Sequence, residues 1–284
     1  MWVARSPRSS WTGSRLRAPD TASLRGPDVA ADLALLAEAA GAAGEIARRH
    51  FGRAPEAWQK ADGQGPVTEA DLEIDAMLRR TLLAARPDYG WLSEESADTP
   101  DRLERSRVFV VDPIDGTRAF MDGQDGFSHS LAVVEHGRPV AAAIHLPVRG
   151  LLYLAGHGLG ATEGGVPMRT SGRTALDGAG VLGKSSVFGA ARWKGGRPPV
   201  RPQFRSSLAW RLALVAEGRF DAMVTLGEAW EWDIAAGALL VEEAGGLVRD
   251  RLGRTLRFNA ARPRLDGVVA GTGAVAAALL DRLL

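Results

Sequence analysis

The sequence predicts a layered α/β fold, and three observations carry that prediction. The second half of the chain alternates helical with extended patterns, which is how helix and sheet layers are laid down. The apolar run Val108-Phe109-Val110-Val111 reads as a buried strand that stops abruptly at Asp112, where Pro113 blocks the ladder and Gly116 allows a tight turn. The chain has 284 residues, 45% apolar and 24% charged, enough for one large or two small domains with a real core.

Bulk properties exclude several function classes. With 35 basic and 34 acidic residues the formal charge is +1, which gives no electrostatic footprint for nucleic acid or for a membrane surface. The most apolar stretch, Leu131 to Val148, is interrupted by Glu135, His136 and Arg138 and is too broken to span a bilayer. The absence of cysteine removes disulfides, thiolate metal sites and cysteine nucleophiles, and fits a reducing compartment such as the cytoplasm. Residues 1–28 are rich in Arg, Ser, Pro and Trp and poor in acids. They read as a disordered or mis-started tail, or as a targeting segment, and stand outside the fold.

The elements follow in order. Asp28 is placed to cap a helix running to about Phe51, with Val29, Leu33, Leu36 and Ile46 on one face and Gly52 ending it. A polar loop spans Gln59 to Pro66. Thr68-Glu69-Ala70-Asp71 resembles a capping box and opens a second helix that ends near Arg86-Pro87. Gly90-Trp91-Leu92 is a strand leading into Ser93-Glu94-Glu95-Ser96, and a charged connector, Asp98 to Arg105, precedes the strand at 107–111. Phe127 to Leu154 reads as three strands with turns at Gly137 and Gly150, followed by a Gly-rich segment to Asp177. Strands near Gly180–Leu182, Phe220–Thr225 and Gly267–Ala270 then alternate with helices at Leu208–Glu217, Trp232–Ala244 and 273–283. This organisation divides the chain into an N-terminal α+β region at 29–178 and a second α/β region at 179–284.

Four acids stand out: Glu94, Asp112, Asp115 and Asp233. The first three fall within 22 residues at the ends of two strands, and Asp233 opens a helix after Trp232. Taken singly, each has a bland explanation as a turn residue, a solvated loop or a helix cap. Taken together they form an oxygen-only donor set, with no Cys and no His cluster, which favours Mg2+ or Mn2+ over zinc. Paired ions of this kind orient and deprotonate a water and neutralise a leaving oxygen. Phosphoryl transfer needs mostly such positioning and charge neutralisation. Gly116 and Thr117 offer backbone N–H groups to a phosphate, and the start of the Asp233 helix adds a second positive end.

These residues resemble the inositol monophosphatase family of metal-dependent, lithium-sensitive phosphatases. The resemblance runs from about residue 30 to the end. It rests on Val67-Thr68-Glu69-Ala70-Asp71, Leu92-Ser93-Glu94-Glu95-Ser96, Asp112-Pro113-Ile114-Asp115-Gly116-Thr117 and Trp232-Asp233-Ile234-Ala235-Ala236-Gly237. It implies a five-layer αβαβα fold and two or three Mg2+ ions. Glu94, Asp112 and the Ile114 carbonyl would hold the first ion, and Asp112, Asp115 and Asp233 the second. Glu94 would also touch a third. It further implies that Thr117 orients the attacking water and that Asp71 accepts the Thr117 hydroxyl proton; Asp71, Thr117 and Glu94 are thus the catalytic candidates. Family members are often homodimers.

The sequence departs from the inositol-specific pattern in places. Ser93 replaces the usual Gly before the Glu-Glu pair, which reads as a harmless change. Arg118-Ala119-Phe120 follows Gly-Thr where inositol phosphatases tend to carry Thr-Asn-Phe, and Thr225 falls near the place of an acidic residue that holds the polyol. Arg118 resembles bisphosphate nucleotidases and histidinol-phosphate phosphatases, and Glu231, more weakly, resembles bisphosphate nucleotidases. The expected substrate is therefore a small phosphorylated metabolite attacked in line by an activated water. The lead is 3′-phosphoadenosine 5′-phosphate, followed by myo-inositol 1-phosphate and histidinol phosphate. Gly116, Thr117, Lys184 and Ser206 are the candidate substrate contacts, the last two in the 184–207 loops that set specificity together with 225–231.

Two other readings compete. Gly178-Ala179-Gly180-Val181-Leu182-Gly183-Lys184-Ser185 fits a nucleotide phosphate-binding loop, but no good strand precedes it and Gly and Pro crowd the helix that should follow. A catalytically dead binding relative is opposed by the presence of every expected acid and of Thr117. The five histidines show no ligand spacing, and the eight tryptophans suit packing better than a base-stacking platform in a near-neutral chain. Trp230 and Trp232 flank the acid site and either wall a substrate ring or pack the start of the helix.

Overall fold

A computed structural model describes residues 26–53, 56–60 and 65–284. The tail expectation up to residue 25 lies outside the described residues. Residues 26–28, assigned to that tail from sequence, instead form the first turn of helix α1 (Gly26–His50), so Asp28 sits inside the helix and is not its cap. Gly52, at φ +74°, turns the chain away after it. Strands β1 (Ala57–Gln59) and β2 (Pro66–Thr68), which the sequence did not mark, form a small antiparallel pair at the two ends of the Gln59–Pro66 loop.

Helix α2 (Glu69–Ala85) begins with the expected capping box between Thr68 and Asp71. Strand β3 (Gly90–Ser93) pairs in parallel with β4 (Arg107–Asp115). Pro113 does not end β4: the strand continues through a register shift between Asp112 and Asp115 opposite β5 (Ser128–Glu135), a bulge that accommodates a residue without an N–H. Helix α3 (Thr117–Met121) lies between them. Strands β6 (Arg138–Leu146), β7 (Leu151–Gly156), β8 (Gly160–Glu163) and β9 (Val166–Pro167) complete a seven-stranded sheet in the order β3-β4-β5-β6-β7-β8-β9. The β5–β6 turn places His136 and Gly137 at φ 48° and 79°, the left-handed pair of a tight hairpin.

The second sheet comprises β10 (Gly180–Leu182), β11 (Arg201–Gln203), β12 (Ala222–Thr225), β14 (Leu247–Arg249) and β16 (Val268–Gly271), in the order β11-β10-β12-β16-β14. Helix α4 (Leu208–Ala216) precedes β12; β13 (Ala229–Trp230) pairs with β15 (Arg264–Leu265); α5 (Glu231–Glu243) and α6 (Gly273–Arg282) complete the chain. Among the described residues no helix is long and apolar enough to cross a membrane.

The layers follow from strand alternation. Phe109, Val111, Leu131 and Val133 face α1 and α2, packing on Leu36, Ala40, Ile74 and Leu78. Their neighbours Val108, Val110, Ala132 and Val134 face the opposite way, onto α4 and α5, whose other side packs on Leu182, Met223, Val268 and Ala270 of the second sheet. Val181, Val224 and Val269 then meet Val275, Ala276 and Leu279 of α6. The order is helix, sheet, helix, sheet, helix: the five-layer αβαβα arrangement.

Candidate active site

Four chain segments meet where β3 and β4 end against the start of α5. Glu94, just past β3, is tied to β4 by its own N–H, which donates to the Val111 carbonyl at 3.2 Å. Asp112 lies opposite Ser130, and the Ser130 hydroxyl donates to the Trp232 carbonyl at 2.8 Å, so β5 ties the first turn of α5 beside Asp112. Asp233 is the third residue of α5 rather than its cap. As a result one carboxylate oxygen from each of Glu94, Asp112 and Asp233 lies within 4.8 Å of the other two.

Asp115 is not part of that three-oxygen group, although its charge reaches Asp112 and Asp233. Its Oδ2 accepts the Ser207 hydroxyl and the Ala209 N–H, each at 2.6 Å, which fastens the bulge to the start of α4. Arg211 grips the same loop from the other side, donating to the carbonyls of Arg205 at 2.6 Å and Ser206 at 3.3 Å.

Thr117 and Asp71 lie within reach of each other. Thr117 Oγ1 lies 3.1 Å from the Ile114 carbonyl and 3.4 Å from Asp71 Oδ1, so its single proton is shared toward both. Asp71 Oδ2 is occupied by the Thr68 N–H at 2.9 Å and the Thr68 hydroxyl at 2.5 Å, which leaves Oδ1 for Thr117. Gly116, at φ +100°, makes the turn between the acids and α3, a conformation that favours glycine.

Burial raises the proton affinity of Asp71, Glu95, Asp112, Asp115 and Asp233. Burial first, then the negative charges of Glu94, Asp115 and Asp233, pushes Asp112 well above the usual carboxylate range. Asp233 rises for the same reasons, with Asp115 and Glu94 as its neighbours. Burial lifts Asp71 and Asp115 to about 6 against the hydrogen bonds from Thr68 and Ser207. It lifts Glu95, beside Glu94, to about 7. Lys60 Nζ reaches both Glu94 and Glu95 at 2.6 Å and is the cation in direct contact with this edge. Asp112 Oδ1 is buried and has no hydrogen-bond partner among the described residues. An orphaned, buried carboxylate oxygen among converging acids is the environment that a hard divalent cation satisfies, and the oxygen-only donors fit Mg2+ or Mn2+.

Neither of the two further substrate candidates makes a hydrogen bond or ion pair with these acids among the described residues. Lys184 is exposed, just beyond the end of β10. Ser206 turns its hydroxyl to the Gly126 carbonyl and lines a cavity of about 360 Å³ with Arg149, Arg205 and Trp210. The nucleotide-loop pattern at 178–185 lacks its context: the strand lies inside the motif and a short 3-10 turn follows Ser185 in place of an α-helix. Trp230 is stacked on Trp232 at 4.5 Å and covered by the Arg264 guanidinium at 3.8 Å, so the pair packs the start of α5 and leaves Trp230 no free face for a ring.

Sequence reasoning missed Ser207, Lys60 and Arg211. Ser207 was findable, since a serine directly before an apolar helical run is a cap signal, and it does cap α4. Lys60 and Arg211 carry no such local mark. Ser93, read as a harmless replacement, donates to Asp75 of α2, and Ser96 does the same to the other oxygen of that carboxylate, so α2 braces both ends of the Glu94–Glu95 loop.

Comparison with known proteins agrees with this geometry. An inositol-1-monophosphatase of Rhizobium meliloti is 32% identical over 237 residues, 78% of this chain and 86% of the relative. A 3′(2′),5′-bisphosphate nucleotidase CysQ of Aggregatibacter actinomycetemcomitans is 31% identical over 237 residues, 78% and 85% of the two chains. The solved structure of the extragenic suppressor protein suhB from Bartonella henselae superposes with a TM-score of 0.74 at 28% identity, covering 88% of this chain and 97% of that one. Residues 28–283 match the inositol monophosphatase family, and the chain belongs to that family of metal-dependent phosphatases.

Proposed function

We propose that the protein hydrolyses a phosphate monoester on a small metabolite with Mg2+, and that its lead substrate is 3′-phosphoadenosine 5′-phosphate. The observation that carries the chemistry is that one oxygen from each of Glu94, Asp112 and Asp233 lies within 4.8 Å of the other two, with the buried Oδ1 of Asp112 lacking a hydrogen-bond partner among the described residues. Glu94, Asp112 and the Ile114 carbonyl would hold one ion; Asp112, Asp233 and the Oδ1 of Asp115 would hold another, since Asp115 Oδ2 is committed to α4. When bound, Mg2+ supplies charge neutralisation on the phosphate and acidifies a water.

The chain's own groups supply the rest. Thr117 directs its proton to Ile114 and Asp71, which leaves its oxygen lone pairs to accept from the attacking water and aim it. Asp71 is the acceptor that holds the Thr117 hydroxyl in that orientation. The Gly116 turn exposes backbone N–H groups to the phosphate oxygens.

Arg118 is exposed one residue after Thr117, a cation suited to a second anionic group on the substrate. Thr225, at the end of β12, offers no charge to a polyol. Both features and the nucleotidase relative support the bisphosphate. The Rhizobium relative supports myo-inositol 1-phosphate as the second reading, with histidinol phosphate behind it.

The test is phosphate release with Mg2+ from these three substrates, by the wild type and by Asp115→Asn. The wild type should prefer the bisphosphate, and the variant should lose at least about 100-fold in turnover. Release from none of them with Mg2+ or Mn2+ removes the proposal, and preference for the inositol ester moves it to the second reading.

A further inference from the structure

We propose that His129 is a positioning residue for the metal-binding bulge: its Nδ1–H holds the Pro113 carbonyl and so fixes Asp112, the Ile114 carbonyl and Asp115 in place. This rests on the metal reading above. The ladder between β4 and β5 is interrupted between Asp112 and Asp115, where both flanking acids belong to the site. Pro113 cannot donate, and it has no partner in the β4–β5 register; a buried carbonyl left unpaired is costly. His129, fully buried on β5, meets that carbonyl with Nδ1. A carbonyl only accepts, so Nδ1 carries the proton.

Alternation along β5 makes this a grip from the far side of the sheet. Ser128 and Ser130 point toward α4 and α5, where they meet Ser207 and the Trp232 carbonyl. His129 points the other way, among Phe127 and His145, with ring centroids at 6.3 and 5.8 Å. The bulge is therefore anchored on both faces. His145 is itself fixed, donating from Nδ1 to the Ala40 carbonyl of α1 at 2.8 Å. Helix α1 leaves space for that ring at Gly44, where a Cβ would stand 2.4 Å from His145 Cε1. The two imidazoles thus link α1 to the acid-bearing turn. His129 Nε2 has no partner among the described residues, which agrees with a neutral ring whose one proton is spent on Pro113.

The experiment compares Mn2+ binding by calorimetry in the wild type, His129→Val and His129→Asn, and reads the ring proton by 15N NMR of histidine-labelled wild type. An asparagine amide N–H can stand where Nδ1–H stood; valine has no donor. Valine should weaken Mn2+ binding at least about 10-fold, as removal of groups that orient ligands does, and asparagine should stay within about threefold of wild type. The His129 resonances, assigned by their loss in His129→Asn, should show a neutral ring protonated at Nδ1. Equal binding by valine and wild type overturns the role, as does asparagine failing to restore binding in a folded variant. A proton on Nε2 overturns it even if the valine variant does not fold. Wild type that binds no Mn2+ overturns the metal reading first and this role with it.

Discussion

Ser207 Oγ stands 2.6 Å from Asp115 Oδ2, 2.8 Å from the Trp210 N–H and 3.0 Å from Ser128 Oγ. One hydroxyl thus gives its proton to a buried acid and accepts from both a helix start and β5. Ser207→Ala removes a cap and a charge-assisted bond together and should cost about 1–2 kcal/mol in urea denaturation. It should also weaken Mg2+ activation, because Asp115 keeps only the backbone N–H bonds that aim it. Unchanged stability and unchanged Mg2+ dependence would show that the Asp115 contact carries no weight.

The acid cluster predicts a pH dependence of the metal-free protein. Asp71 and Asp115 are raised to about 6, Glu95 to about 7, and Asp112 and Asp233 well above their usual range. In the unfolded chain these groups titrate near about 4. Between those values the folded protein binds more protons than the unfolded one, so stability falls as pH rises. Their contribution is complete below about pH 4 and is lost as the pH climbs through the folded values. Buried His129, lowered to about 3, gives the opposite slope below its unfolded value, but equally with or without metal. The gain in Tm on adding Mg2+ over a chelator control should therefore be larger at pH 8 than at pH 5, where protons compete for the same oxygens. A gain independent of pH would contradict the assignment of these acids to the cation.

How far the sequence revealed this site depends on how local each signal is. Asp112, Asp115 and Asp71 were legible because an apolar strand that ends in carboxylates and a Thr-x-x-Asp helix start are readable within a few residues. The bulge was not: Pro113 signals a break in the ladder, and only pairing with β5 shows the strand resuming at Asp115. The strands of two or three residues at 201–203, 229–230, 247–249 and 264–265 fall below any periodicity. Lys60 reaches Glu94 and Glu95 across 34 and 35 residues, and Ser207 reaches Asp115 across 92, so neither relation exists before the chain folds.

Thr117 and Asp71 should act as a unit. Thr117→Ala removes the hydroxyl proposed to aim the water, and Asp71→Asn leaves that hydroxyl without its carboxylate acceptor. Each single variant should lower kcat by about 100-fold or more, and the double variant by little beyond the worse single. Mn2+ binding should survive in Thr117→Ala, since that side chain is not among the proposed ligands. Calorimetry with steady-state phosphate release checks both; fully multiplicative losses would mean that the two side chains work independently.

Gly237 is required by the packing of two helices rather than by a turn. A Cβ there would lie 2.4 Å from Leu212 Cβ and 2.5 Å from Leu212 Cδ1, on the facing helix α4. The nearest atom is attached directly to backbone, so the leucine cannot swing clear and α4 or α5 must shift. Alanine is favoured over glycine in a helix interior by about 1 kcal/mol, and the overlap has to exceed that gain. Gly237→Ala should destabilise by about 1–3 kcal/mol net, and combining it with Leu212→Ala should recover part of the loss despite the cavity that change creates. Because α5 carries Asp233 and α4 holds Asp115 through Ser207 and Ala209, separating the two helices should also weaken Mg2+ activation. Urea denaturation of the single and double variants decides it: if Gly237→Ala proves as stable as wild type, the close approach of α4 and α5 is not what glycine serves at this position.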